Sequence, residues 1–166
     1  MLMLLHFKGH AMGGFGGALK NMSIGVASSN GKTWIHSAER TRDTKEMWNL
    51  IEDQDGFLES MAEADKAVVE YFKPENMAYI NIANKISIDC DCDSNPADPE
   101  MKHIGIFASI DPVALDQCCY DAIINSDDPG GEALVNRMKG KHAIHTIERA
   151  YELGIGNREY EIIDID

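Results

Sequence analysis

The sequence contains no paired C-x-x-C motif, no apolar run long enough to span a bilayer and no surplus of basic residues. Each absence removes a class of function. Its 15 lysines and arginines face 28 aspartates and glutamates, for a formal net charge of -13. That surplus repels phosphate backbones and anionic headgroups, so neither nucleic acid nor a membrane is an expected partner. The four cysteines form two tight pairs, Cys90 with Cys92 and Cys118 with Cys119. This spacing matches neither a zinc ribbon nor a ferredoxin cluster, so no ferredoxin-type cluster motif is encoded. Met1 to Leu5 is shorter than the apolar core of a secretory signal and lacks a basic start. A cytoplasmic location is therefore expected, where Asn21-Met22-Ser23 is an unused glycosylation match and structural disulfides are disfavoured. No internal repeat or long linker divides residues 1–166, a length suited to a single domain with a sizeable core.

What is present is concentrated near the start. Leu2 to Phe7 reads as a strand, followed by Lys8-Gly9-His10-Ala11-Met12-Gly13-Gly14-Phe15-Gly16-Gly17 and a helix beginning at Ala18. Glycines let backbone N–H groups approach a ligand closely, and a helix N-terminus favours anions. Two named phosphate motifs nevertheless fail here. Leu19 stands where the third glycine of G-x-G-x-x-G belongs, and Val26 where a Walker loop ending in Gly31-Lys32-Thr33 needs its first. The loop reads either as a ligand site or as a glycine connection packed against a helix. Gly13, Gly14, Gly16 and Gly17, with Lys8, His10, Lys20, Lys32 and His36 around them, make the best anion site in an acidic chain. A small anionic molecule is the expected ligand.

Further along, Asp43 with Glu46 predicts a capping box, and Met47, Trp48, Leu50 and Ile51 a short amphipathic helix. Phe57, Leu58, Met61, Ala64, Val68 and Tyr71 keep helical spacing up to Lys73-Pro74. Met77 to Ile88 predicts a strand with Ile80, Ile82, Ile86 and Ile88 on its apolar face. The continuous apolar run His103 to Ile110 predicts a central strand. Asp111-Pro112 opens a helix with Asp as cap. Further helices are expected over Gly130 to Met138 and His142 to Leu153, and a last strand over Tyr160 to Ile165. Strands alternating with helices indicate an α/β layered sandwich with a mostly parallel or mixed sheet.

Among candidate ligands, Cys90 and Cys92 share one face of an extended chain, and thiolates favour soft metals such as zinc or iron. The same pair also continues the isoleucine face, where free cysteines pack as small hydrophobes. Asp89, Asp91 and Asp93 fall opposite, as a solvated edge. Cys118 and Cys119 lie in an apolar helical stripe with Leu115, Ala122 and Ile123 and read as core. Asp111 is a cap that also ends a strand expected to be parallel, where α/β folds place ligands, and Asp116 lies one turn later. His142 and His145 share a helix face, a possible metal pair, but no carboxylate motif accompanies them and they read as surface histidines. Trp34 and Trp48 read as ordinary packing.

Four stretches carry a resemblance: HFKGHAMGGFGGALKNMSIGVAS (6–28), CDCDSNPADPE (90–100), IGIFASIDPVALDQCCYDAI (104–123) and AYELGIGNREYEII (150–163). In that order they resemble the domain of unknown function 362 family, often labelled iron–sulfur centre proteins. The resemblance implies a redox- or metal-associated protein, with Cys90 and Cys92 as its most metal-like residues. Many members carry a ferredoxin-like insertion after the segment matching Gly31 to Ser37; here His36-Ser37-Ala38-Glu39-Arg40-Thr41 runs on without cysteines. Relatives also have a substantial portion before the HFKGH strand, so a truncated member is expected. Such a chain leaves apolar surface bare, which predicts a homo-oligomer built beside Met1 to Phe7. The rival expectation is a non-catalytic assembly module that pairs with another chain. Reaction type and substrate have no signature.

Overall fold

The computed structural model describes residues 1–165. Its centre is a mixed three-stranded sheet. β1 (Leu2–His6) runs parallel to β4 (Ala78–Ala83), which pairs antiparallel with β5 (Gly105–Ser109). Between β1 and β4 in sequence lies a separate hairpin, β2 (Lys8–His10) and β3 (Gly14–Gly16). The helices are α1 (Ala18–Lys20), α2 (Ser29–His36), α3 (Thr44–Met47), α4 (Gln54–Phe72), α5 (Pro112–Ile124), α6 (Glu132–Gly140) and α7 (Ile144–Glu152). A π-helical turn, Asn21–Gly25, continues α1. This is the α/β sandwich that the alternating pattern predicts.

The period-two alternation of β1 places Met3 and Leu5 inside and Leu2 and Leu4 outside. On the inner face they meet Tyr79, Phe7, Leu19, Met22, Val113, Ile123, Met138 and Ile147 in one core. Asp43, Asp53 and Asp111 cap their helices through their side chains, each accepting from backbone N–H groups of the first turn. Glu46 does not close the expected box; it accepts from the Thr41 hydroxyl at 3.0 Å.

Several expectations are corrected. Part of the glycine segment forms a hairpin, too short and glycine-rich to show a strand period in the sequence. Strand β4 stops at Ala83, and its buried face is Tyr79, Asn81 and Ala83 rather than Ile80 and Ile82. Beyond it Ile86 makes only an isolated bridge with Met101. β5 is an edge strand, not the centre, and it is antiparallel. Its apolar run reflects an open face: register sets Leu4 beside Ile80 and Ala108, and Ile82 beside Ile106. Leu2 and Leu4 are 61% exposed there and Ile106 70%. Residues 160–165 form no strand, and Ile162, Ile163 and Ile165 are exposed. Asn30-Gly31, a turn signal in the sequence, instead lies inside α2, whose cap is Ser28. In the Met47–Ile51 segment only Met47 is buried, while Trp48 is exposed and Trp34 lies under Arg42. No helix among the described residues is long and apolar enough to cross a membrane.

The segments leaving β1 and β4 position the site. Phe7 N–H donates to Ile82 at 3.0 Å and Gly9 N–H to Ser87 at 2.8 Å, so the hairpin lies against residues 84–93. Gly9 is required there, because a Cβ would collide with the Ile88 carbonyl.

Candidate functional site

Where the hairpin meets the loop after β4, His10, Cys90 and Cys92 bring their ligand-type atoms within 4.8 Å of one another. Cys90 and His10 are buried and Cys92 is exposed. Neither cysteine continues a strand face: the chain has left the sheet, and the pair sits in turns.

The thiols are not equivalent. Burial pushes the Cys90 thiol up, but the Cys92 thiol, the Cys92 N–H at 3.3 Å and the charges of Lys20 and Lys8 outweigh it. The result is a lowered pKa, with the Lys20 ammonium 3.9 Å from Cys90 Sγ. Cys92 is raised, by burial first and then by its bond to Cys90 and the charge on it. The pair thus consists of one thiol prone to ionise and one prone to stay protonated.

His10 is held down to about 3, by burial and then by Lys20, His36, Arg137 and Lys8, so it is neutral at physiological pH. Its Nδ1 accepts from Gly13 N–H at 3.0 Å and from Met12 N–H at 3.3 Å. That fixes the ring proton on Nε2. His36, also lowered chiefly by burial, feels Lys20 and Lys32 and stacks on Phe57. Lys8 from β2, Lys20 from α1 and Arg137 from α6 thus all act on His10, the first two also on Cys90, while Lys32 from α2 acts on His36. Two of them are engaged: Lys8 pairs with Asp91, and Arg137 with Asp89 at 3.2 Å. Asp89 is thus a half-buried ion-pair partner beside the cysteine loop, which sequence spacing did not indicate, while Asp91 and Asp93 are exposed as the solvated-edge reading has them.

The glycine N–H groups are used within the fold. Gly13 serves His10, and the start of α1 is capped by Asp116, which accepts from Ala18 N–H at 2.7 Å and Leu19 N–H at 2.9 Å. Asp116 is fully buried on α5, takes a third bond from Asn81 Nδ2 at 2.8 Å, and is pushed up to about 6 by burial. Gly17 leaves room for it, since a Cβ there would meet the carboxylate. Gly14 and Gly16 pair with His10 and Lys8 in the hairpin. The site offers an incoming anion cationic side chains rather than a cradle of free amides.

Asp111 is not brought to this site. Its strand is antiparallel to β4, so it lies at the opposite end of the sheet from Lys8 and His10. There it caps α5 and accepts from Asn157 N–H at 2.8 Å. Cys118 and Cys119 are buried on α5, as the apolar stripe predicts. A four-thiolate cluster needs four converging cysteines, and among the described residues only Cys90 and Cys92 come together with His10. A concavity of about 680 Å³ is lined by Gln117, Asp121, Tyr151, Asn157, Arg158 and Glu159 and shares no residue with the thiol cluster.

An α/β chain with a cation-flanked Cys-x-Cys pair is the class these observations define. The profile of the family described as Domain of unknown function (DUF362) matches residues 1–121, and the chain belongs to that family. No curated protein and no solved structure matches it.

Proposed function

We propose that this chain is a thiol redox protein in which Cys90 is the attacking thiolate, Cys92 the resolving thiol and a small anionic disulfide the reaction partner. The supporting observation is the asymmetric pair itself: a cationic amine and an N–H aimed at Cys90, with a second thiol beside it. In the forward direction Cys90 Sγ attacks one sulfur of the partner and expels the other as a thiolate, which takes a proton from solvent. Cys92 then loses its proton and attacks Cys90 Sγ, releasing the second partner thiolate. The protein gains the Cys90–Cys92 disulfide while the partner gains two electrons. Lys20 and Lys32 draw the anion in against the overall charge of the chain. His10 stays neutral beside the two thiols.

The same three residues, within 4.8 Å, also favour a second reading, a soft metal ion on Cys90, Cys92 and His10. That reading requires His10 to move its ring proton to Nδ1 and release Gly13. Alkylation by iodoacetamide against pH, read by peptide mass, tests the first reading. Cys90 is expected to react as a thiol of lowered pKa, and Lys20→Met to slow it at neutral pH. Oxidised glutathione is expected to leave an intramolecular Cys90–Cys92 disulfide. Ordinary Cys90 reactivity without that disulfide overturns the proposal, and a cobalt–thiolate charge-transfer band on adding Co²⁺ moves the assignment to the metal.

A further inference from the structure

A second cluster lies on α7 and the turn before it, where the ligand atoms of His142, His145 and Glu148 all fall within 4.8 Å of one another. The two imidazoles stack with centroids 5.0 Å apart and 15° between planes, so they present themselves side by side. What distinguishes them from scattered surface histidines is the layer behind. His142 Nδ1 bonds Asp55 Oδ1 at 2.7 Å, and His145 Nε2 bonds Glu59 Oε1 at 3.0 Å. Each ring is thereby oriented by its own carboxylate from α4. Metal-bound histidines are held in this way, the outer carboxylate fixing the tautomer and raising the basicity of the free nitrogen. The nitrogens left over are His142 Nε2 and His145 Nδ1, and the latter already lies 4.0 Å from Glu148 Oε2. The other oxygen of Glu148 is anchored by Arg158 at 3.1 Å, which leaves Oε2 for the cluster.

We infer that His142, His145 and Glu148 bind one divalent transition-metal ion of the zinc class. Two imidazoles and one carboxylate are a recognised zinc set that leaves a fourth position for water or an incoming group. The surrounding carboxylates give a dication a favourable field, and the ion would tie α7 to α4 through Asp55 and Glu59. This site is independent of the thiol pair, and the test keeps it so. In a Cys90→Ser/Cys92→Ser background, Co²⁺ is expected to give weak ligand-field bands without a sulfur charge-transfer band. Zn²⁺ is expected to compete with it and to raise the thermal midpoint. His145→Ala is expected to abolish binding. Glu59→Gln, which keeps the shape and changes no ligand, is expected to weaken Zn²⁺ at least tenfold. An affinity that ignores Glu59→Gln while losing His145→Ala marks an adventitious histidine pair and overturns the inference, as does an affinity indifferent to both. Circular dichroism of each variant separates loss of the site from loss of the fold.

Discussion

Replacing Asp116 by Asn tests the central packing argument, because burial and hydrogen bonding act on this carboxylate in opposite directions. Oδ1 accepts from Ala18 N–H and Asn81 Nδ2, and Oδ2 from Leu19 N–H. Asn can keep the first two bonds on its oxygen, but it turns an NH₂ towards Leu19 N–H. One lost bond with a donor facing a donor costs about 2–3 kcal/mol. Against this stands the cost of the buried charge. The folded carboxyl titrates at about 6, against an ordinary 3.8. A raised acid pKa means that the folded state binds the proton more tightly. Its contribution is therefore fully present below about pH 3.8 and is lost as pH rises through about 6. The loss amounts to roughly 3 kcal/mol in all, about half of it between pH 5 and pH 7.5. Urea unfolding of both proteins across that interval subtracts the titrating groups that do not feel Asp116; buried Asp65, whose pKa Asp116 helps to raise, is the exception. Asp116→Asn is expected to be clearly destabilising near pH 5 and close to neutral, within about 1 kcal/mol, near pH 7.5. A stability difference that stays flat, or widens with pH, would falsify the reasoning. It would mean that the amides at the start of α1 hold the carboxylate ionised.

Gly9→Ala is expected to cost more than about 3 kcal/mol by urea unfolding, because the added methyl collides with the Ile88 backbone and parts the hairpin from the cysteine loop. A loss under about 1 kcal/mol would show that the two segments separate freely. On the open sheet face, the homo-oligomer expected beside β1 is best probed with Leu4→Lys and Ile106→Lys, since both residues are already largely exposed. Light scattering is expected to show a dimer that either substitution dissociates while circular dichroism stays unchanged. A monomeric parent, or a dimer indifferent to both, would remove that face from the assembly.

Local signals in the sequence marked the elements whose reasons are local. The spacing of Phe57, Leu58 and Met61 announces α4, and Asp43 and Asp111 announce their helices by capping them. The lysines and histidines around the hairpin were legible as a group because they are close in sequence. The buried face of β4 was not legible, for a specific reason. Its core position is Asn81, a polar residue whose Nδ2 donates to Asp116 and Cys119 on α5 while its Oδ1 is buried without a partner. With Ile80 and Ile82 on the other side, hydrophobicity pointed the wrong way. β5 misled in the same manner, since Ile106, Ala108 and Ile110 lie on a face without a covering layer while Phe107 packs on the core. The thiol site depended on contacts between distant segments: Lys20 reaching Cys90, Lys8 reaching Asp91 and Arg137 reaching Asp89. No local spacing encodes such pairs. For Asp111, the error was one of strand direction, and direction follows from pairing rather than from composition.

The π-helical turn at Asn21–Gly25 carries a consequence for how Lys20 is aimed. A regular helix advances about 100° per residue, and a π-turn accommodates one residue more than that winding allows. Lys20, just before the turn, looks towards Cys90, while Met22 and Ser23 within it are buried in the core. The angular offset between these directions is set by a count of residues, whatever their side chains. A chain one residue shorter at 21–25 could keep every side chain of the thiol site and still present its ammonium to the wrong side. In this protein the charge beside the cysteine is a matter of phase as much as of chemistry.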